Sequence, residues 1–137
     1  MEHIDGTSLD EYVCSRRGLP EAEAVACIRA IGNALAYMHD CRMLHLDLKP
    51  KNVMRRTSDG TLLLIDFGLS KQYDESGEPE SSTAVGLGTP GYAPLEQAND
   101  HNSRDFSPTL DVYALGATLF KMLTAHTPPK SSDVLND

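Results

Sequence analysis

At 137 residues the chain is long enough for one domain with a real core and too short for two. Its apolar fraction of 40% is that of an ordinary globular protein, while 20 acids against 12 bases leave a net charge of −8, which argues against a nucleic-acid partner because phosphate binding needs clustered cations. No apolar run reaches the ~18 residues of a membrane span, and Met1-Glu2-His3-Ile4-Asp5 lacks the basic and apolar regions of a secretion signal, so a soluble, cytoplasmic protein is expected.

In chain order, Ser8 and Glu11 have the spacing of a capping box, which starts a short helix that Gly18 ends. Pro20 then opens a second helix, expected over residues 20–39, at a position where its missing N–H costs nothing. Ile28, Ile31, Leu35 and Met38 recur at three- and four-residue steps and make one apolar stripe. Short strands follow at Met43-Leu44, Val53-Met54 and Leu62-Leu63-Leu64-Ile65. The last two are joined through Asp59-Gly60, a dipeptide suited to a tight hairpin.

From Lys71 to Val85 the composition is polar and broken by Gly77 and Pro79, which predicts a mobile loop. A last helix should begin at Ser107-Pro108 and end at Pro128-Pro129. Its apolar positions, from Leu110, Val112, Tyr113 and Leu115 to Leu119, Phe120, Met122 and Leu123, go nearly all the way round, the mark of a helix buried on most sides. Cys14, Cys27 and Cys41 form no C-x-x-C pair, so they are expected to be buried or half-buried thiols in a reducing compartment rather than a zinc site or disulfide framework.

Two short segments carry the chemistry: His45-Leu46-Asp47-Leu48-Lys49-Pro50-Lys51-Asn52 and Ile65-Asp66-Phe67-Gly68. Alone, an Asp or Asn in a loop is an ordinary turn or cap residue. Together, an acid, a cation, an amide and a second acid in this order suit phosphoryl transfer. Asp47 can accept or orient a hydroxyl proton, and Lys49 can neutralise a transferring phosphoryl. Asn52 and Asp66 supply the oxygens that a hard Mg²⁺ ion prefers. His45 has no second ligand at suitable spacing and is not expected to bind metal.

This pattern resembles the catalytic loop and the Asp-Phe-Gly of protein kinases. The resemblance runs over nearly the whole chain. Gly88-Thr89-Pro90-Gly91-Tyr92-Ala93-Pro94-Leu95-Glu96 resembles the end of an activation segment, with Leu95 in place of a proline. Asp111-Val112-Tyr113-Ala114-Leu115-Gly116 resembles the start of the central buried helix, whose aspartate braces the catalytic loop. Residues 1–6 resemble the interdomain hinge.

The resemblance implies a mainly α fold with short β-hairpins, a kinase-like C-lobe with hinge 1–6, catalytic loop 45–52, activation segment 66–96 and central helix 107–125. It also implies ATP and Mg²⁺ as cofactors and a protein substrate. The implied catalytic residues are Asp47, Lys49 and Thr89. The backbone of Glu2 and Ile4 would meet adenine, Met54 would lie under it, Lys49, Asn52 and Asp66 would serve the phosphates, and Asn52 and Asp66 the metal. Lys49-Pro50 and the Gly-Thr-Pro-Gly-Tyr segment favour the serine/threonine type.

Leu46 stands where many kinases have arginine and cannot pair with a phosphate. The chain is read as having no Gly-x-Gly-x-x-Gly and no Val-Ala-Ile-Lys-like strand. The ATP-covering N-lobe and the last C-lobe helices are therefore expected to be missing, and these residues by themselves to be inactive and to expose apolar surface. The alternatives are a non-catalytic kinase-like fragment or binding module and, of another class, a small-molecule phosphotransferase of the kinase-like superfamily.

Overall fold

The computed structural model describes residues 5–65, 71–72, 91–92 and 107–130. Strand β1 (Gly6–Ser8) runs antiparallel to β3 (Val53–Arg56), with Gly6 opposite Arg56 and Ser8 opposite Met54. Ser8 then caps helix α1 (Leu9–Ser15): its backbone is extended and its Oγ accepts the Glu11 N–H at 3.1 Å. The expected cap is present. The strand before it was not expected, because its partner lies far along the chain.

Leu9 and Val13, one helical turn apart, are fully buried. The turn after α1 is tied to the far end of the domain. Leu19 N–H bonds the Met122 carbonyl at 2.7 Å. Gly18 has φ +105°, and a Cβ there would stand 2.8 Å from the Leu123 carbonyl oxygen.

Helix α2 (Glu21–Asp40) lies within a residue of expectation at both ends, with Pro20 as its cap rather than its first helical residue. Ala24, Ile31, Leu35 and Met38 are buried along one face, and Ile28 packs half-buried beside them. Strand β2 (Met43–Leu44) follows, then a 3₁₀ turn (Pro50–Asn52) that runs directly into β3. Strand β4 (Leu62–Leu64) pairs antiparallel with β3, Val53 opposite Leu64 and Arg55 opposite Leu62.

The hairpin loop is wider than Asp59-Gly60 alone. Arg56 N–H bonds Thr61 O and Gly60 N–H bonds Arg56 O, each at 2.8 Å, so the loop spans residues 57–60. Asp59 receives Arg56 Nε at 3.0 Å and Nη2 at 2.8 Å. That guanidinium, with the Thr61 N–H, holds the Asp59 carboxyl well below the usual carboxylate range.

Strand β5 (Lys71–Gln72) pairs antiparallel with β2. The polar stretch expected to be a loop from Lys71 onward thus begins as a strand, and its remainder, 73–85, lies outside the described residues. Helix α3 (Thr109–Thr124) starts after Ser107, whose carbonyl and Oγ take the Leu110 and Thr109 N–H groups at 3.0 and 3.3 Å. It ends at Ala125, left-handed with φ +61°, ahead of the prolines expected to stop it.

Helix α3 buries one face rather than most sides, and it leaves exposed the kind of apolar surface that was also expected. Leu110, Asp111, Ala114, Thr118, Lys121 and Met122 form its inner face, while Val112 (57% exposed), Tyr113, Phe120 and Leu123 reach the surface. The inner face packs on α2, α1 and the 3₁₀ turn, and polar residues occupy part of it. Thr118 is satisfied there by the Ala114 carbonyl at 2.8 Å. Of the thiols, Cys14 and Cys41 are exposed and only Cys27 is half-buried, with burial pushing its pKa up. Among the described residues no helix is long and apolar enough to cross a membrane.

Candidate active site

The site is built on the loop between β2 and the 3₁₀ turn. Leu48 is buried between partly exposed Asp47 and Lys49, the alternation of a short extended segment with one side in the core. Lys49 itself is extended, with φ −162° and ψ 164°. The two functional side chains therefore emerge on the same side, as their two-residue spacing predicts. Lys49 Nζ lies 3.9 Å from Asp47 Oδ2.

Asn52 joins them from the 3₁₀ turn, where Pro50 fixes the first residue and Asn52 N–H bonds the Lys49 carbonyl at 2.9 Å. Its Nδ2 donates to the Asp47 carbonyl at 2.7 Å and reaches Asp47 Oδ2 at 3.2 Å. With the amide nitrogen turned to Asp47, the side-chain oxygen Oδ1 is the atom left to ligate a cation. Asp47, Lys49 and Asn52 are thus one hydrogen-bonded and ion-paired group.

Asp111, fully buried at the start of α3, holds the loop from below. Its Oδ2 accepts the His45 N–H and its Oδ1 the Leu46 N–H, both at 2.9 Å. Leu46 needs that hold, since its φ of +67° is a left-handed conformation that a branched aliphatic residue adopts at a cost of about 1–2 kcal/mol. A third partner was missed in the sequence: His39 Nε2, in the last turn of α2, meets Asp111 Oδ2 at 2.9 Å. The available signal was only a histidine at a helix C-terminus, where a cation suits the dipole.

His45 is fully buried and both ring nitrogens are committed. Nδ1 accepts the Asp47 N–H at 3.2 Å, so Nε2 is the nitrogen that donates, to Ile65 O at 3.1 Å. Ile65 N–H in turn bonds the Asn52 carbonyl at 2.8 Å. The residue immediately before Asp66 is therefore pinned to both ends of the loop.

Met54 sits on β3, opposite Ser8 and Leu63 and on the other face from fully buried Val53. Glu2, Ile4, Asp66 and Thr89 lie outside the described residues. One glycine spacing also needs correction: Gly86, Gly88 and Gly91 do match Gly-x-Gly-x-x-Gly, but they fall after the loop rather than ahead of it.

A bound Mg²⁺ or ATP is compatible with this donor set. An amide oxygen beside a carboxylate is hard-cation chemistry, and the adjacent ammonium suits a phosphate.

The family model for the protein kinase domain matches residues 1–136. Serine/threonine-protein kinase PknL of Mycobacterium tuberculosis is 37% identical over 128 residues, covering 93% of this chain and 31% of that protein. Probable serine/threonine-protein kinase PknB of Lactococcus lactis is 35% identical over 128 residues, 93% of this chain and 20% of that protein. Death-associated protein kinase dapk-1 of Caenorhabditis elegans is 33% identical over 129 residues, 93% of this chain and 9% of that protein. The chain thus spans no more than 31% of the length of any of these three relatives.

Proposed function

Because this chain belongs to the protein kinase domain family, we propose that its loop 45–52 transfers the terminal phosphoryl group of ATP to serine or threonine hydroxyls of protein substrates. The observation that carries the proposal is the convergence of Lys49 and Asn52 on the Asp47 carboxylate, at ion-pair and hydrogen-bond distance. In this reading, residues 1–6 are the hinge, 66–96 the activation segment and 107–125 the central helix of a kinase-like lower lobe.

Asp47 orients the acceptor hydroxyl and takes its proton. Lys49 places an ammonium beside the moving phosphoryl group. Asn52 and Asp66 would hold Mg²⁺, which would supply charge neutralisation at the phosphates. The roles assigned by the resemblance are for Thr89 to bond Asp47 and Lys49, for Met54 to lie under adenine, and for the backbone of Glu2 and Ile4 to meet its edge. Asp111 acts through the backbone of His45 and Leu46 and is a positioning residue. The free thiols go with a reducing, cytoplasmic setting, and the net charge of −8 with protein rather than nucleic-acid partners.

The test is transfer of labelled phosphate from ATP to serine and threonine peptides by the intact gene product and its Asp47→Asn variant. A positioned base is worth ~10²–10⁴ in rate, so the variant should lose about that much. Equal rates would remove Asp47 from the chemistry. Binding of nucleotide with no transfer in either protein would favour the non-catalytic module.

A further inference from the structure

A hollow of about 220 Å³ opens beside the loop. Its walls include Asp10 from α1, Lys49 and Lys51 from the loop and the 3₁₀ turn, Tyr92, and Lys121 from α3. In a chain of net charge −8, three lysines face one aspartate here. Asp47, outside the lining, stands 3.9 Å from Lys49, and among the described residues the cations around the hollow remain in excess.

Lys121 is the informative member, with a side chain only 9% exposed. Its Nζ donates to the Ala125 carbonyl at 3.2 Å, while Asp10 Oδ1 stands at 3.8 Å, too far for a hydrogen bond. An ammonium has three N–H groups, and a buried one is stabilised when anions complete its shell. Lys51, by contrast, is exposed at the rim. None of the lining residues belongs to the sheet that carries Met54, the residue assigned to adenine. Lys49 belongs to both the hollow and the Asp47 group, which puts the hollow next to the acceptor hydroxyl.

We propose that this hollow receives an anionic side chain of the protein substrate, glutamate, aspartate or a phosphorylated residue, and so selects acidic sequence around the acceptor. The proposal rests on reading 45–52 as the phosphoryl-transfer loop. Lys51 and Lys121 are its specificity-determining residues.

The test measures binding of fluorescent peptides to the intact gene product by anisotropy at low and high salt. The peptides share one backbone and carry glutamate, phosphoserine, alanine or arginine around a single acceptor serine. Glutamate and phosphoserine peptides should bind roughly three- to tenfold more tightly than the arginine peptide, with the gap narrowing as salt rises. Binding of phosphoserine alone would assign the anion to a phosphorylated substrate.

Lys51→Glu, at an exposed position, should erase or invert the preference. Lys121→Gln should weaken it, its folding checked by melting; should that variant unfold, Lys51→Glu carries the test. Equal or tighter binding of the arginine peptide by the wild type, or an unchanged preference in Lys51→Glu, overturns the proposal. The readout is independent of catalysis. Acidic preference without phosphate transfer would remove the proposed function and leave the anion site standing. Transfer at equal rates to acidic and basic peptides, with no binding preference, would do the reverse.

Discussion

Replacing Asp111 with asparagine keeps the shape of the side chain and removes one acceptor oxygen. In the native protein the carboxylate takes three hydrogen bonds at 2.9 Å, from His45 N–H, Leu46 N–H and His39 Nε2. Bonds to a charged acceptor are worth about 1.5–3 kcal/mol each. The remaining amide oxygen can serve the two partners of Oδ2, but the amide NH₂ then faces the Leu46 N–H, donor against donor. It does so at the residue whose backbone is already left-handed.

Loss of one charge-assisted bond, weakening of the other two and a buried donor clash sum to about 2–5 kcal/mol, a large share of a typical domain's 5–15 kcal/mol. Urea unfolding of wild type and Asp111→Asn, compared at their midpoints with a common slope, reads this directly. Asp59→Asn, in an exposed turn, is the control and should cost less than Asp111→Asn. If Asp111→Asn lies within about 1 kcal/mol of wild type, the carboxylate is not what holds the loop in place.

Other outcomes follow from the same geometry. Gly18→Ala should destabilise by about 1–3 kcal/mol in the same unfolding assay, because a Cβ there meets the Leu123 carbonyl at a φ of +105°. A thiol reagent on the native protein should modify Cys14 and Cys41 quickly and Cys27 slowly, since burial both shields Cys27 and raises its pKa. The phenol of Tyr92 is pushed up to about 12 from 10.0, by burial first and then by Asp10 and Cys14. The folded state therefore keeps a proton that the unfolded state has lost between those values, and stability should fall as pH rises from about 10 to about 12. Phenolate absorbance of wild type against Tyr92→Phe checks it: a Tyr92 that ionises near pH 10 contradicts the burial argument.

The sequence was most legible where one local signal sufficed. The stripe of α2, the Ser8 cap and the β3–β4 hairpin all rest on short-range patterns, and each is found close to where it was expected. The side-by-side emergence of Asp47 and Lys49 was readable for the same reason, since an extended segment repeats every second residue. Strands β1 and β5 were not readable, because Gly6-Thr7-Ser8 and Lys71-Gln72 lack strand composition and exist only through distant partners.

In α3, counting apolar positions implied burial nearly all round. Tertiary packing instead took a face holding Asp111, Thr118 and Lys121 and left Phe120 and Leu123 outside. That choice serves the loop, since it is what brings the Asp111 carboxylate beneath His45 and Leu46. His39 escaped notice because the aspartate it meets lies 72 residues away.

The central claim is that Asp47, Lys49 and Asn52 act as one group on a metal-bound nucleotide. The most direct measurement replaces Mg²⁺ by paramagnetic Mn²⁺ with a non-hydrolysable ATP analogue and maps nuclear relaxation along the intact gene product. Resonances of Asp47, Lys49 and Asn52 should broaden first and together, and substitution of Asn52 by leucine should weaken the effect. Broadening centred elsewhere, or none at these residues under saturating nucleotide, would contradict the account.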